Sequence, residues 1–116
     1  MLRINKRQLA AFEEAALETF VLETARHIRR VLPEKVAHLD CRALVSSLRA
    51  RLDQALAYGI SDRFDALRYL ECSYVLGWTD QGPDSEACAV LARSELTAEE
   101  RVDLIERRIR IPQPNT

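Results

Sequence analysis

Apolar residues in this chain recur at spacings of three and four, and no segment alternates with period two for long enough to pair as a strand. That spacing puts side chains on one stripe of an α-helix, and the stripe must be buried against another element. The clearest run is Leu9, Phe12, Ala16, Phe20, Thr24, Ile28 and Val31, widened by Leu17 and Val21. It predicts a long first helix over about 6–32, with Asn5 as N-cap, long enough for a bend or break near Thr24 to be unsurprising. Arg26, Arg29 and Arg30 fall toward its end, where cations suit the negative pole of the helix dipole.

Helix stops divide the rest of the chain. Pro33 disfavours helical geometry at Leu32 and can itself open one short turn. Asp40 is the N-cap expected for a second helix. Its buried stripe is Leu44, Val45, Leu48, Leu52, Ala55 and Leu56, and Arg42, Arg49, Arg51 and Asp53 are expected to face water. Gly59 ends it, because glycine takes the left-handed C′ conformation without steric penalty. Asp62 and Asp65 make a weak capping box for a third helix that turns Phe64, Leu67, Leu70, Tyr74 and Val75 inward and stops at Gly77. Residues 79–84 read as a loop, and a short helix follows over 85–93. Thr97 and Glu100 form a reciprocal capping box for the last helix, which carries Val102, Ile105 and Ile109 and ends in Arg107, Arg108 and Arg110.

The expected architecture is therefore all-α: a single-domain bundle of four to five helices over 1–111, with a long N-terminal helix and a flexible Pro-containing tail over 112–116. Composition agrees. The apolar content is rich in alanine and leucine, and aromatics make up only 6%, which favours helix over strand. Net charge is −1, from 17 basic and 18 acidic residues, so there is no general electrostatic pull toward nucleic acid or an anionic membrane. No apolar stretch approaches the ~20 residues of a membrane span. The positive charges of Arg3, Lys6 and Arg7 lead into Glu13 and Glu14 rather than an apolar region, so no secretion signal is expected. Cys41, Cys72 and Cys88 are odd in number and widely spaced, and a cytoplasmic protein with reduced, mostly buried thiols is the expectation.

No constellation for catalysis emerges. His27 and His38 are not at ligand spacing, and no cysteine lies close to another, so neither metal nor cofactor is expected. No nucleophile has a base within a local motif. Gly59, Gly77 and Gly82 do not make a phosphate-binding loop. Glu99 and Glu100 belong to a helix first turn, and Glu13 and Glu14 to a solvated face. A helix-turn-helix over 42–75 would present only Arg63 and Arg68 on its recognition helix, offset by Asp62, Asp65 and Glu71, so nucleic-acid binding is not favoured.

What remains is recognition of another protein. Trp78, beside a helix-stopping glycine, most simply fills the bundle end, and its alternative role is an interaction anchor with Tyr74. The candidate interaction residues are Arg68, Tyr74, Trp78 and Asp80, and the candidate surfaces are the first helix and the region 58–80.

One broader pattern adds to this. Ile4-Asn5-Lys6-Arg7-Gln8-Leu9 leads into a helix with Phe12 and Phe20, and Tyr58-Gly59-Ile60, Tyr69-Leu70-Glu71, Leu76-Gly77 and Leu96-Thr97-Ala98-Glu99-Glu100-Arg101 follow. Together these resemble small helical accessory, co-chaperone-like proteins of proteobacteria encoded beside type VI secretion effectors and their adaptor chaperones. The resemblance implies a factor that binds an effector or its chaperone, and it brings no catalytic residue with it. Two rival expectations use the same fold: an immunity protein for a neighbouring toxin, and a helix-turn-helix-like DNA-binding regulator.

Overall fold

The computed structural model describes the backbone of residues 6–110 and the side chains of residues 15–108. The Asn5 cap, the side chains of Leu9, Phe12, Glu13, Glu14 and Ile109, and the tail 112–116 lie outside the described residues. Five α-helices follow one another: α1 Lys6–Val31, α2 Cys41–Ala57, α3 Arg63–Val75, α4 Ser85–Leu91 and α5 Ala98–Arg110. A 3₁₀ turn, Pro33–Lys35, joins the first two, with Pro33 at its start. Among the described residues there is no strand, only a lone antiparallel bridge between Thr79 and Gly82. No described helix is long and apolar enough to cross a membrane.

The helix ends form where local chemistry directs them. Asp40 accepts the Ala43 N–H at 2.8 Å, Asp62 accepts those of Phe64 and Asp65 at 3.0 and 3.1 Å, and Asp84 accepts that of Ala87 at 2.8 Å. Thr97 and Glu100 cap each other reciprocally at 2.8 and 3.1 Å. Each cap satisfies a backbone donor that would otherwise be orphaned.

The C-termini of α2 and α3 close in the same way. Gly59 (φ 84°) and Gly77 (φ 74°) take left-handed backbone. The next N–H turns back onto the helix, Ile60 to Ala55 O and Trp78 to Ser73 O, each at 2.9 Å. This Schellman arrangement returns the following side chain toward the core. Ile60 is fully buried and Trp78 only 6% exposed as a result. Arg101 completes the ends of α2 and α4, donating to the carbonyls of Tyr58 and Leu91 at 3.0 and 2.9 Å.

Packing runs α1 against α2, α2 against α3, α3 against α5 and α5 against α4. The core is built from Phe20, Val21 and Ile28 of α1, Leu44, Leu48 and Leu52 of α2, Tyr69, Leu70 and Cys72 of α3, Ala87 and Leu91 of α4, and Val102 and Ile105 of α5.

Several expectations are corrected. α1 continues without a break through Thr24, and Val31 at the end of the predicted stripe is exposed, although Thr24 itself is buried as that stripe requires. Phe64 is 67% exposed rather than inward: it borders an open hollow with Phe20 and Thr24 of α1, while the next two residues, Asp65 and Ala66, are buried. Tyr69 takes the inner place. Of the three cysteines only Cys72 is buried; Cys88 is half-buried and Cys41, at the first position of α2, is exposed. Helix α4 ends at Leu91, earlier than expected. The largest correction concerns Arg51, which does not face water.

Candidate functional site

Arg51 is 6% exposed and points from α2 toward the loop that joins α3 to α4. A buried cation is tolerated only when its donors and its charge are matched. Here Nε donates to Asp80 Oδ1 at 3.1 Å, Nη1 to Ser73 Oγ at 2.9 Å and Nη2 to the Trp78 carbonyl at 2.7 Å. The guanidinium also lies over the Tyr74 ring, 4.0 Å from its centroid, a favourable cation–π geometry.

Two neighbours on the same face of α2 extend the grip. Ser47 Oγ donates to Asp80 Oδ1 at 2.7 Å and lies 2.7 Å from the Tyr74 hydroxyl. A serine carries one hydroxyl proton. With that proton committed to Asp80, the Tyr74 hydroxyl is the donor to Ser47. Gln54 Nε2 donates to the Asp80 carbonyl at 2.6 Å. Ser47, Arg51 and Gln54, spaced by four and three, therefore hold one loop residue by both its side chain and its main chain. The Asp80 side chain is nonetheless 56% exposed, so its ion pair with Arg51 is partly screened and the loop tip stays open to solvent.

A cleft of about 430 Å³ lies over this network. Ser47, Arg51, Tyr74, Trp78 and Asp80 line one part, and Lys35 and His38 from the connection between α1 and α2 line another. Serine, histidine and aspartate thus share a cleft without forming a catalytic relay. Ser47 donates directly to Asp80, and His38 has no hydrogen-bond partner among the described residues. A serine nucleophile needs the imidazole between them. Among the described residues, no three metal-ligating side chains converge.

The structure brings three of the four residues singled out from sequence, Tyr74, Trp78 and Asp80, to this cleft, and Arg68 elsewhere. Six residues at about 3.6 per turn put Arg68 and Tyr74 on different faces of α3. Arg68 bridges α3 to α5, pairing with Asp65 at 3.4 Å, with Glu106 at 3.0 Å and with Asp103. Burial opposes its charge, but hydrogen bonds to Glu106 and Asp103 overcome that and leave its pKa raised. Trp78 takes the core role: its ring meets Tyr69 edge-on at 5.4 Å, and its Nε1 donates to Asp84 at 3.2 Å. Asp84 is held below the usual carboxylate range, first by Arg108, which clamps it with two hydrogen bonds at 3.1 Å, and then by the Ala87 N–H. Sequence reasoning missed Ser47, Arg51 and Gln54, although Arg51 lies three residues beyond Leu48 and four before Ala55, on the buried stripe itself.

No protein family, curated protein or solved structure matches this chain.

Tyr69 is fully buried against the Trp78 ring, and its hydroxyl has no hydrogen-bond partner among the described residues. An unsatisfied buried hydroxyl is a penalty carried by the fold, so Tyr69→Phe is expected to raise stability by about 1 kcal/mol in urea denaturation. A loss of stability would mean that the hydroxyl is paired. The phenols also set the alkaline limit. Burial pushes Tyr69 and Tyr74 above the ordinary value of 10.0. In the unfolded chain they ionise near that value, whereas the folded protein keeps them protonated. Stability is therefore complete below pH about 10 and falls as pH rises beyond it. Thermal melts across that range, with tyrosinate absorbance, would check this; a flat profile would refute it.

Proposed function

We propose that this protein is a non-catalytic, protein-binding accessory factor, a co-chaperone or adaptor that acts in the cytoplasm on a type VI secretion effector or its chaperone. The observation that carries the binding role is the loop over 76–84: Arg51, Ser47 and Gln54 hold it against α2, yet its tip and half of the Asp80 side chain remain exposed. A loop fixed before binding loses little entropy on docking. Lys35 and His38 border the same cleft and offer donors to an acidic partner surface. The partner class comes from the sequence resemblance, with its Tyr58-Gly59-Ile60, Leu76-Gly77 and Thr97 to Glu100 elements.

The test is affinity capture from the source bacterium with a tagged copy, read by mass spectrometry. Recovery of a secretion effector or its adaptor chaperone is expected. Lys35→Glu combined with His38→Glu is expected to weaken that capture about tenfold while leaving the melting temperature unchanged. Recovery of the tagged protein alone would defeat the reading. Protection of cells from a co-expressed neighbouring toxin would instead make it an immunity protein, and a salt-sensitive shift of duplex DNA would make it a regulator.

A further inference from the structure

A second surface lies on the seam between α1 and α2. Leu22 of α1 is 51% exposed, and Val45 of α2 is only half-buried beside it. Both line two hollows, of about 350 and 230 Å³, which therefore form one groove. Its walls are mainly apolar side chains of Val21, Ala25 and Leu44. Such a surface carries an unfavourable hydration term that a partner would relieve.

The rim is charged, and unevenly so. Arg49 and Glu18 stand at one end, Arg26 and Arg29 at the other. Among the described residues three cations thus oppose one anion on this rim, on a chain whose net charge is −1. Arg26 has no hydrogen-bond or ion-pair partner among the described residues. Arg29 donates one N–H to the Val36 carbonyl. Arg49 meets only the solvent-exposed Asp53, an exposed pair worth little. Arg26 stands before the last turn of α1, which holds Arg29 and Arg30, so the dipole accounts for it less well than for those two.

We propose that this groove receives an amphipathic helix of a partner protein, its apolar stripe seated on Leu22 and Val45 and its acidic flanks facing Arg26, Arg29 and Arg49. From Glu18 to Arg29 the groove follows about 16 Å of helix, enough for three turns of a ligand with apolar anchors at i, i+3 or i+4, and i+7. A second copy of this chain fits poorly, since a two-fold contact would set these arginines against themselves. Nucleic acid would leave Leu22 and Val45 unpaired with anything apolar. The inference shares with the proposed function the premise that the chain binds protein. It concerns a different face from the cleft, so either can fail alone.

The test uses the full chain and a synthetic helical peptide with leucines at those spacings and glutamates on both flanks. Expected are amide chemical-shift changes along α1 and α2, with slower alkylation of the exposed groove residue Cys41 and none at buried Cys72. Leu22→Asp is expected to weaken binding at least about tenfold; its exposure keeps the fold intact. Arg26→Glu with Arg49→Glu is expected to reject the acidic peptide by about tenfold and to accept its lysine-flanked counterpart. The proposal is overturned if neither peptide binds, if both bind the native protein equally, if duplex DNA shifts the same amides, or if Leu22→Asp dissolves a dimer seen by sedimentation. Charge reversal at Lys35 and His38 should leave the peptide affinity unchanged, which separates this face from the cleft.

Discussion

Arg51→Ala is expected to remove about 3–4 kcal/mol of stability, a large fraction of the roughly 5–15 kcal/mol available to a domain of this size. The change deletes three hydrogen bonds, the contact with the Tyr74 ring and the packing of the side-chain stem. Ser73 keeps its bond to the Leu70 carbonyl at 2.6 Å, and Asp80 keeps Ser47 and solvent. The Trp78 carbonyl loses the side-chain donor it has here. Arg51→Met should cost less, because filling the space with apolar atoms also removes the desolvation of a buried cation. Asp80→Asn should cost only about 1 kcal/mol, since its carboxylate is half in water. Urea denaturation of the three variants checks the order, and amide exchange should rise at residues 79–81 in Arg51→Ala. If Asp80→Asn proved as damaging as Arg51→Ala, the guanidinium would not be the centre of this network.

Trp78→Ala is expected to be at least as severe, at about 3–5 kcal/mol. The indole fills the end of the bundle against Tyr69, and its N–H reaches Asp84, which in turn caps α4 and accepts Arg108. Losing the ring opens a cavity and removes one of the groups that hold Asp84, leaving Arg108 and the Ala87 N–H. Trp78→Phe retains most of the volume and gives up the N–H bond, for about 1–2 kcal/mol. Trp78 is the chain's one tryptophan, so native fluorescence reports this site directly: emission should be blue-shifted and move to the red in a single transition with urea. A wild-type emission already that of solvated indole, or a Trp78→Ala protein as stable as its parent, would place the ring at the surface.

These two positions differ in how far they could be read from sequence. Trp78 follows Gly77, and a residue directly after a C′ glycine is turned back onto its own helix by the N–H bond to Ser73. That is a contact across five residues, so the dipeptide is informative. Arg51 is the opposite case. Its spacing from Leu48 and Ala55 places it on the buried stripe, but its charge argues for water, and the partners that reverse the argument lie 22 to 29 residues away. Likewise nothing local says that Arg68 will meet Asp103 and Glu106, or that Phe64 will be left exposed beside α1.

What the sequence determined by itself was most of what is set within about one helical turn: the all-helical class, the caps at Asp40, Asp62 and Thr97, and the stops at Pro33, Gly59 and Gly77, though not the Asp84 cap or the early end of α4. Those interactions are complete within the segment that carries them, so tertiary packing has little left to decide. The middle of each stripe was legible as well, at Ile28, Leu44, Leu48, Leu52, Ala55, Val102 and Ile105, but which neighbour covers it and where its margins fall was settled only by the fold. Stripes widened by residues such as Val21 and Val45 can be buried along more than one line. The choice among them depends on where α3, its following loop and α5 come to rest, and with it the burial of Arg51, the cleft beneath Asp80 and the open groove at Leu22.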